Sequence, residues 1–315
     1  MDGACELDAV RASWEGGSTL CTLPSVGSTN DVAIEAARDG APHGWAVCAE
    51  RQVAGRGRRG HAWASPKGSL YLSCVLRPQV AMAQFIALPA VCALGVMDAL
   101  HELGLAGRVG IKWPNDIVAR RCADTGAEGH SLPAGEVAAN ALSVGALFDS
   151  KLVGILVEAK SAAEGPFAVV GMGMNVVPVE VDPNMDDRPA TGPRPLAPIS
   201  LEELLAFSDA RPGGAIPSVP EIAEALRAAV VARVDAWAAE LAASDAAAGP
   251  FAPILSEYFD LVPMLGHQVV ALTPDGHPLA VGVFTGLDVW GRATLAVPDG
   301  AEQAFPSEAV SLREV

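Results

Sequence analysis

Gln52-Val53-Ala54-Gly55-Arg56-Gly57-Arg58-Arg59-Gly60, followed by Trp63 and Ser65-Pro66, is the stretch on which the fold turns. Its glycines let the backbone approach a ligand closely and present N–H groups. Its arginines add fixed charge suited to a phosphate or carboxylate. The same composition also describes a solvated basic turn. It is no P-loop, because Gly-x-x-x-x-Gly-Lys-Ser/Thr is absent, and arginines inside Gly-x-Gly-x-x-Gly make it a weak dinucleotide fingerprint. The apolar segments on either side, Trp45 to Ala49 and Ser69 to Leu76, read as buried strands, so the loop joins two strands.

Upstream, Ser28-Thr29-Asn30 precede Val32, Ile34, Ala36 and Ala37, and Gly40 stands where a C′ glycine ends a helix. Downstream, a helix is expected from about Ala83 to Leu103. Its apolar run from Phe85 to Met97 has 13 residues and is closed by Asp98, whereas a membrane span needs about 20. It reads as a buried core helix.

Strands follow at Val109 to Lys112 and Asp116 to Ala119. Between them, Lys112-Trp113-Pro114-Asn115-Asp116 sets a cation, an amide and a carboxylate side by side at a strand end. A Pro-Asn turn with a core Trp and a surface Lys fits the same residues. Lys151 to Glu158 puts a lysine at the head of an apolar strand, with Gly154 allowing close approach, and Gly171 to Val176 has the same character within a strand from Phe167 to Val177.

Residues 120–140 read as a surface insertion and residues 178–198 as a long loop. Ser200-Leu201-Glu202-Glu203 has capping-box spacing. Pro220 opens an amphipathic helix through Ile222, Leu226, Val230, Val234 and Trp237. Beyond Leu265 the pattern is wholly β, with short strands at Gln268 to Leu272, Pro278 to Leu287, Ala293 to Val297 and Val310 to Arg313, the punctuation of a small barrel.

The formal charge is −16, from 37 acidic and 21 basic side chains in 315 residues, which argues against a general nucleic-acid binder. Only four lysines occur (Lys67, Lys112, Lys151, Lys160), and Arg51, Arg56, Arg58 and Arg59 cluster within nine residues, so the few cations are concentrated. With 50% hydrophobic residues the chain buries a full core, as one large domain or one large and one small. Six cysteines stand singly, without a C-x-x-C pair, and are expected to be reduced core thiols. The histidines show no metal-ligand spacing. The acidic N-terminus has no apolar segment behind a basic start, so a cytoplasmic protein is expected.

Taken in order, Ser28-Thr29-Asn30, Gln52 with Gly55 to Gly60 and Trp63-x-Ser65-Pro66, Lys112 to Asp116, Lys151 to Glu158, and Gly171-x-Gly173-x-Asn175-Val176 closely resemble the catalytic domain of biotin protein ligases, over residues 28–176. The resemblance implies an α+β fold. A mixed-sheet catalytic domain with helices on one side would cover residues 1–262, and an SH3-like β-barrel residues 263–315.

It implies ATP-dependent conversion of biotin to biotinyl-5'-AMP, with Mg2+, and transfer of biotin to a lysine of a biotin carboxyl carrier protein domain. Ser28, Thr29, Asn30, Gln52, Gly55, Arg56, Gly57, Arg58, Lys151 and Gly154 would bind biotin. Arg56, Arg58, Arg59, Trp63, Lys112, Asn115, Asp116 and Asn175 would bind ATP. Lys151, Arg58 and Asp116 would be catalytic, the first two offsetting the repulsion between two anions and Asp116 accepting or orienting a proton of the attacking amine. Magnesium ligands are not assigned.

Some relatives carry an N-terminal DNA-binding domain. Only 27 residues precede Ser28, so no nucleic-acid partner is expected, nor a membrane, and the chain is expected to act as a monomer or weak homodimer. His61 replaces a further basic residue, and the 34 residues between Asp116 and Lys151 exceed the short hairpin of the family. Rival readings are a lipoate or octanoate ligase and a non-catalytic biotin-binding protein.

Overall fold

The computed structural model describes residues 3–60, 63, 65–119, 150–179, 196–206, 216–244 and 248–315. Helix α1 (Gly3–Glu15), strand β1 (Leu20–Leu23), helix α2 (Thr29–Arg38), strand β2 (Ala46–Ala49) and strand β3 (Leu70–Leu76) open the chain. Helix α3 (Leu88–Leu100), strands β4 (Val109–Lys112), β5 (Asp116–Ala119), β6 (Ser150–Ala162), β7 (Gly165–Met174) and β8 (Ala197–Pro198) follow. Next come α4 (Leu201–Ala206), α5 (Val219–Ala243) and α6 (Leu255–Asp260). The chain closes with β9 (Gln268–Leu272), β10 (Pro278–Leu287), β11 (Ala293–Ala296), β12 (Glu302–Phe305) and β13 (Ser311–Glu314).

The first sheet runs β1-β2-β3-β7-β6-β5-β4, with β8 beside β6. It is mixed: β1–β2 and β6–β8 are parallel and the other ladders antiparallel. Central β3 is buried at every position, which is why its sequence reads as a continuous apolar run rather than an alternation. Leu70, Leu72, Cys74 and Leu76 face α3 and α5 in one core. Val75 joins Val47, Phe167 and Val169 in a second core on the other face, beneath Ala33, Ile34, Ala36 and Ala37 of α2.

Helices on one side of the sheet is therefore a description to correct. α3 and α5 cover one face, but α2 packs on the opposite face against β2, β3 and β7. The physical reason is the period of two along β2: Ala46 and Cys48 point one way, Val47 and Ala49 the other, and both apolar sets need cover.

The expected helix from Ala83 to Leu103 forms in pieces, a 3-10 turn over Met82–Ala87, then α3, then a wider turn over His101–Leu105. Together Met82–Leu105 spans 24 residues, longer than the apolar run suggests and long and apolar enough to cross a membrane by length and composition. Yet 72% of its apolar window is buried inside the fold, against α5 and the sheet. It is a core helix. The amphipathic helix at Pro220 is α5, with Ile222, Leu226, Val230, Val234 and Trp237 all buried. Its Ser218–Glu221 capping box and the Ser200–Glu203 box of α4 both form.

The insertion at 120–140 and most of the loop at 178–198 lie outside the described residues. The end of that loop, Ala197–Pro198, is β8. α1, α6, β1 and β12 are additions to the sequence reading. Neither strand has a regular apolar period: β1 is a parallel edge strand, and β12, Glu-Gln-Ala-Phe, has one large apolar side chain.

The second sheet is antiparallel throughout, in the order β12-β11-β10-β9-β13. β10 carries register shifts near Pro278 and Phe284 that bend it across the sheet. Backbone and side-chain contacts bind this region to the first sheet. Ile111 N–H donates at 2.7 Å to Leu261 O, in the segment leading into β9, and Trp113 Nε1–H donates at 3.3 Å to Gly291 O, between β10 and β11. The four cysteines whose side chains are described are free thiols, three of them buried. Burial pushes the Cys48 and Cys74 thiols up, to about 11 and about 12.

Candidate active site

The face of the sheet beside α2 carries a polar patch. Ser28 caps α2 in extended geometry without a side-chain cap bond, which leaves the first turn's polar side chains for other partners. Ser28, Thr29 and Asn30 are each only 4% exposed. Backbone bonds from Val53 to Val26 O and Ala54 to Gly27 O zip the start of the loop onto this turn and place Gln52 over it. Gln52 Oε1 accepts from Thr29 N–H at 2.8 Å and from the Thr29 hydroxyl at 3.0 Å. Asn30 Nδ2 donates to Glu158 Oε2 at 2.9 Å. Gly171 lies directly under Asn30, where any Cβ would overlap the amide oxygen.

The glycine and arginine loop closes over this patch. Arg56 makes a two-pronged bond to Asp31, at 2.8 and 2.6 Å, and reaches Glu158 Oε2 at 3.5 Å. Trp63, held by its N–H to Gly55 O at 3.0 Å, lies across β6 and β7 where Gly154 and Gly173 leave room for it. A Cβ at either glycine would come within 2.7 Å of the indole ring. Its Nε1 is buried without a protein partner among the described residues, a donor open to a ligand.

Beyond Trp63 the cations gather. Lys151 Nζ is 2.8 Å from Asp116 Oδ1 and 5.0 Å from the Trp63 ring centroid. Arg58 Nη1 donates to Asn115 Oδ1 at 3.2 Å, and Asn115 Nδ2 donates in turn to Ile155 O. Burial chiefly, then the charges of Arg313, Lys151 and Arg58, push the Lys112 ammonium down to about 7, with Asp116 opposing. Burial lowers Arg58 as well, helped by neighbouring Arg59. For Asp116, burial acts to raise its pKa, but Lys151, Lys112 and Arg58 outweigh it and hold the carboxyl below its ordinary range. A cleft opens beside this group, between Lys112 and Val118 on one side and Met264 and Arg313 on the other.

The fold thus joins most of the predicted residues into two adjoining groups: Ser28, Thr29, Asn30, Gln52 and Arg56 on the patch, and Arg58, Trp63, Lys112, Asn115, Asp116, Lys151 and Gly154 at the cations. Gly55 and Gly57 flank Arg56 in the loop between them.

Two residues point elsewhere. Arg59, in left-handed backbone geometry (φ 58°), donates from Nη2 to the carbonyls of Ser307, Glu308 and Val310 at 3.1, 3.3 and 3.0 Å. Asn175 donates to Lys151 O at 3.2 Å and to Ile199 O at 3.4 Å, so it braces the backbone under Lys151. His61 lies outside the described residues.

Three further residues belong to the site. Ser73, the lone polar residue in the apolar β3, bonds to Thr29 and Asn30; that anomaly was a usable signal. Glu158 holds Asn30 and Arg56 together. Tyr258 donates its hydroxyl to Pro114 O at 3.2 Å, and nothing in the sequence ties it to that turn.

A family pattern described as the biotin/lipoate A/B protein ligase family matches residues 23–175. The chain is 32% identical over 290 residues to the biotin acetyl-CoA-carboxylase ligase of Paracoccus denitrificans, covering 91% of this chain and 98% of that one. It is 33% identical over 162 residues to the bifunctional ligase/repressor BirA of Escherichia coli, covering 51% of this chain and 41% of that one. Its fold is that of the biotin protein ligase from Aquifex aeolicus in complex with biotin and ATP. That match has a TM-score of 0.63 at 21% identity and covers 94% of this chain and 99% of that one.

Proposed function

The chain belongs to the biotin/lipoate A/B protein ligase family, and on that premise we propose that it joins biotin to protein in two steps. In the first, a biotin carboxylate oxygen attacks the α-phosphorus of ATP, the bond to the β-phosphate breaks, and pyrophosphate leaves biotinyl-5'-AMP. In the second, a lysine amine of a carboxylase's biotin carboxyl carrier domain attacks the acyl carbon, AMP leaves, and the amine loses a proton.

The observation that carries this reading is the adjacency of a closed polar patch, sized by Trp63 and three glycines, to a cluster of Arg58, Lys112 and Lys151. Two anions must meet in the first step. Opposite charges at ~4 Å gain roughly 4 kcal/mol at an effective dielectric near 20, and one preorganised donor at developing charge contributes about 3 kcal/mol. Lys151 sits at the boundary of patch and cluster, where it reaches both the carboxylate and the α-phosphate. Arg56 neutralises Asp31 and Glu158 and screens the incoming carboxylate from them. Magnesium would arrive on the nucleotide's phosphates, completing its shell with water.

Asp116 has a narrower role than proton acceptor. A carboxyl held below its ordinary range is a poor base for an ammonium, so it orients the amine and keeps Lys151 in place. The clasp of Arg58 and Arg59 on residues 307–310 closes the loop and keeps water from the activated intermediate.

In this reading residues 1–262 carry the reaction and residues 263–315 form the SH3-like unit that holds the loop. The enzyme is cytoplasmic, a monomer or weak homodimer, without a nucleic-acid or membrane partner. The test is transfer: purified chain with ATP, magnesium and biotin should label a carrier domain on a streptavidin blot at one lysine. Absence of label with a carrier that another ligase modifies would contradict the reading.

A further inference from the structure

Three oxygen-to-oxygen contacts run in a row through the polar patch. Gln52 Oε1 lies 3.0 Å from Thr29 Oγ1, Thr29 Oγ1 lies 2.8 Å from Ser73 Oγ, and Ser73 Oγ lies 2.6 Å from Asn30 Oδ1. Both ends of the row are amide oxygens, which only accept.

Partners fix each amide's orientation. Gln52 presents its oxygen because Thr29 N–H donates to it at 2.8 Å, while Gln52 Nε2 donates to Ser65 Oγ at 3.2 Å. Asn30 presents its oxygen to Ser73 because its Nδ2, on the other side, donates to the carboxylate of Glu158, which only accepts.

Between the two ends there are only two hydrogens, one on Thr29 and one on Ser73. However the hydroxyls rotate, one of the three contacts has none. Ser73 is fully buried and Thr29 and Asn30 nearly so, and an unfilled acceptor is costly where water is excluded. The row is one donor short by construction.

We infer that Glu158 and Ser73 are positioning residues that set ligand specificity: Glu158 turns the Asn30 amide so that the row lacks one hydrogen, and the shortage selects a ligand that brings ring N–H donors. The inference rests on the biotin reading above. The cyclic urea of biotin carries two N–H groups, whereas the dithiolane of lipoate has none, so the count separates the two substrate classes that share this family.

Glu158→Gln tests it. A glutamine amide can donate to Asn30 Oδ1, which frees Asn30 to turn Nδ2 toward Ser73 and supply the missing hydrogen. The expected result by titration calorimetry is a biotin Kd at least about tenfold weaker, a KM for ATP within about twofold of wild type, and a Tm that does not fall. Ser73→Ala closes the shortage differently, removing two contacts and one hydrogen, and is expected to lower biotin affinity while leaving lipoate affinity unchanged. Lys160→Gln changes the charge 3.6 Å from Glu158 without touching the amide and should leave the biotin Kd within about twofold.

A Glu158→Gln protein that binds biotin as wild type does overturns the inference alone. So does a loss of biotin affinity matched by falls in Tm and ATP affinity, which a merely structural role produces. A wild-type chain that prefers lipoate to biotin overturns the functional reading and the inference with it.

Discussion

Lys151 Nζ lies 2.8 Å from Asp116 Oδ1, across two antiparallel strands whose register shifts between Ile117 and Val118. A bulge there gives β6 one extra residue, Leu152, and re-aims the side chains beside it, so a lysine and an aspartate that do not pair in the ladder meet above it. The contact links the two steps of the reaction. Lys151 serves the carboxylate and phosphate in the first, and Asp116, kept ionised by Lys151, orients the amine in the second.

Lys151→Ala is expected to slow biotinyl-adenylate formation by at least about a hundredfold, the usual loss for one preorganised donor at developing charge. Asp116→Asn is expected to slow transfer at least about tenfold more than adenylation. Single-turnover assays of each half-reaction check both, and equal losses in the two steps would contradict the division of roles.

Lys112 predicts a proton linkage. Its folded pKa of about 7 lies below the ordinary value of 10.5, so between those pH values the unfolded chain binds more protons and stability rises with pH. Below pH 7 the buried charge is a full penalty, and it is relieved as pH climbs through the window. An anionic phosphate beside Lys112 raises its pKa again, so nucleotide binding at pH 8 should take up close to one proton. Calorimetry in two buffers of different ionisation enthalpy measures this, and Lys112→Met should abolish the uptake and flatten the rise in stability.

The clasp of Arg59 predicts leakage. Its guanidinium holds three carbonyls at residues 307–310 and Arg58 holds one of the same, and a hydrogen bond to a charged group contributes roughly 1.5–3 kcal/mol. Arg59→Ala should release adenylate faster and label bystander lysines, visible on a streptavidin blot, with adenylation itself reduced less than tenfold. Arg58→Gly should leak more strongly, because Arg58 also holds Asn115. Unchanged target selectivity in both variants would mean that the loop does not retain the intermediate.

Gly154→Ala and Gly173→Ala place a methyl within 2.7 Å of the Trp63 ring. The indole must move, at a cost typical of overpacking, about 1–3 kcal/mol. Both variants are expected to weaken biotin and ATP binding together and to shift the tryptophan emission to the red. A blue-shifted or unmoved spectrum would place Trp63 elsewhere.

The parts of this site that were legible in the sequence are those whose chemistry is local. Gln52 to Gly60, Lys112 to Asp116 and Lys151 to Glu158 each combine a strand end with polar or glycine residues that an apolar strand does not need, and the structure brings all three stretches together. What was not legible depends on partners far away in the chain. Arg59 reads as one more phosphate ligand until residues 307–310 are seen beside it, and Asn175 reads as a pocket residue until its amide is found bracing Lys151 O.

The fold divides the same way. β3, β6 and α5 announce themselves through apolar runs or a helical period. The position of α2 on the far face from α3 follows only from the two cores that β2 separates. Edge strands β1 and β12 bury too little apolar surface to leave a pattern.

Pyrophosphate exchange into ATP, run with biotin, with lipoate and with neither, reads adenylation without any acceptor protein. Exchange that requires biotin in the wild-type chain and is lost in Lys151→Ala is the predicted result. Exchange supported by lipoate in place of biotin, or biotin-dependent exchange that survives Lys151→Ala undiminished, would contradict it.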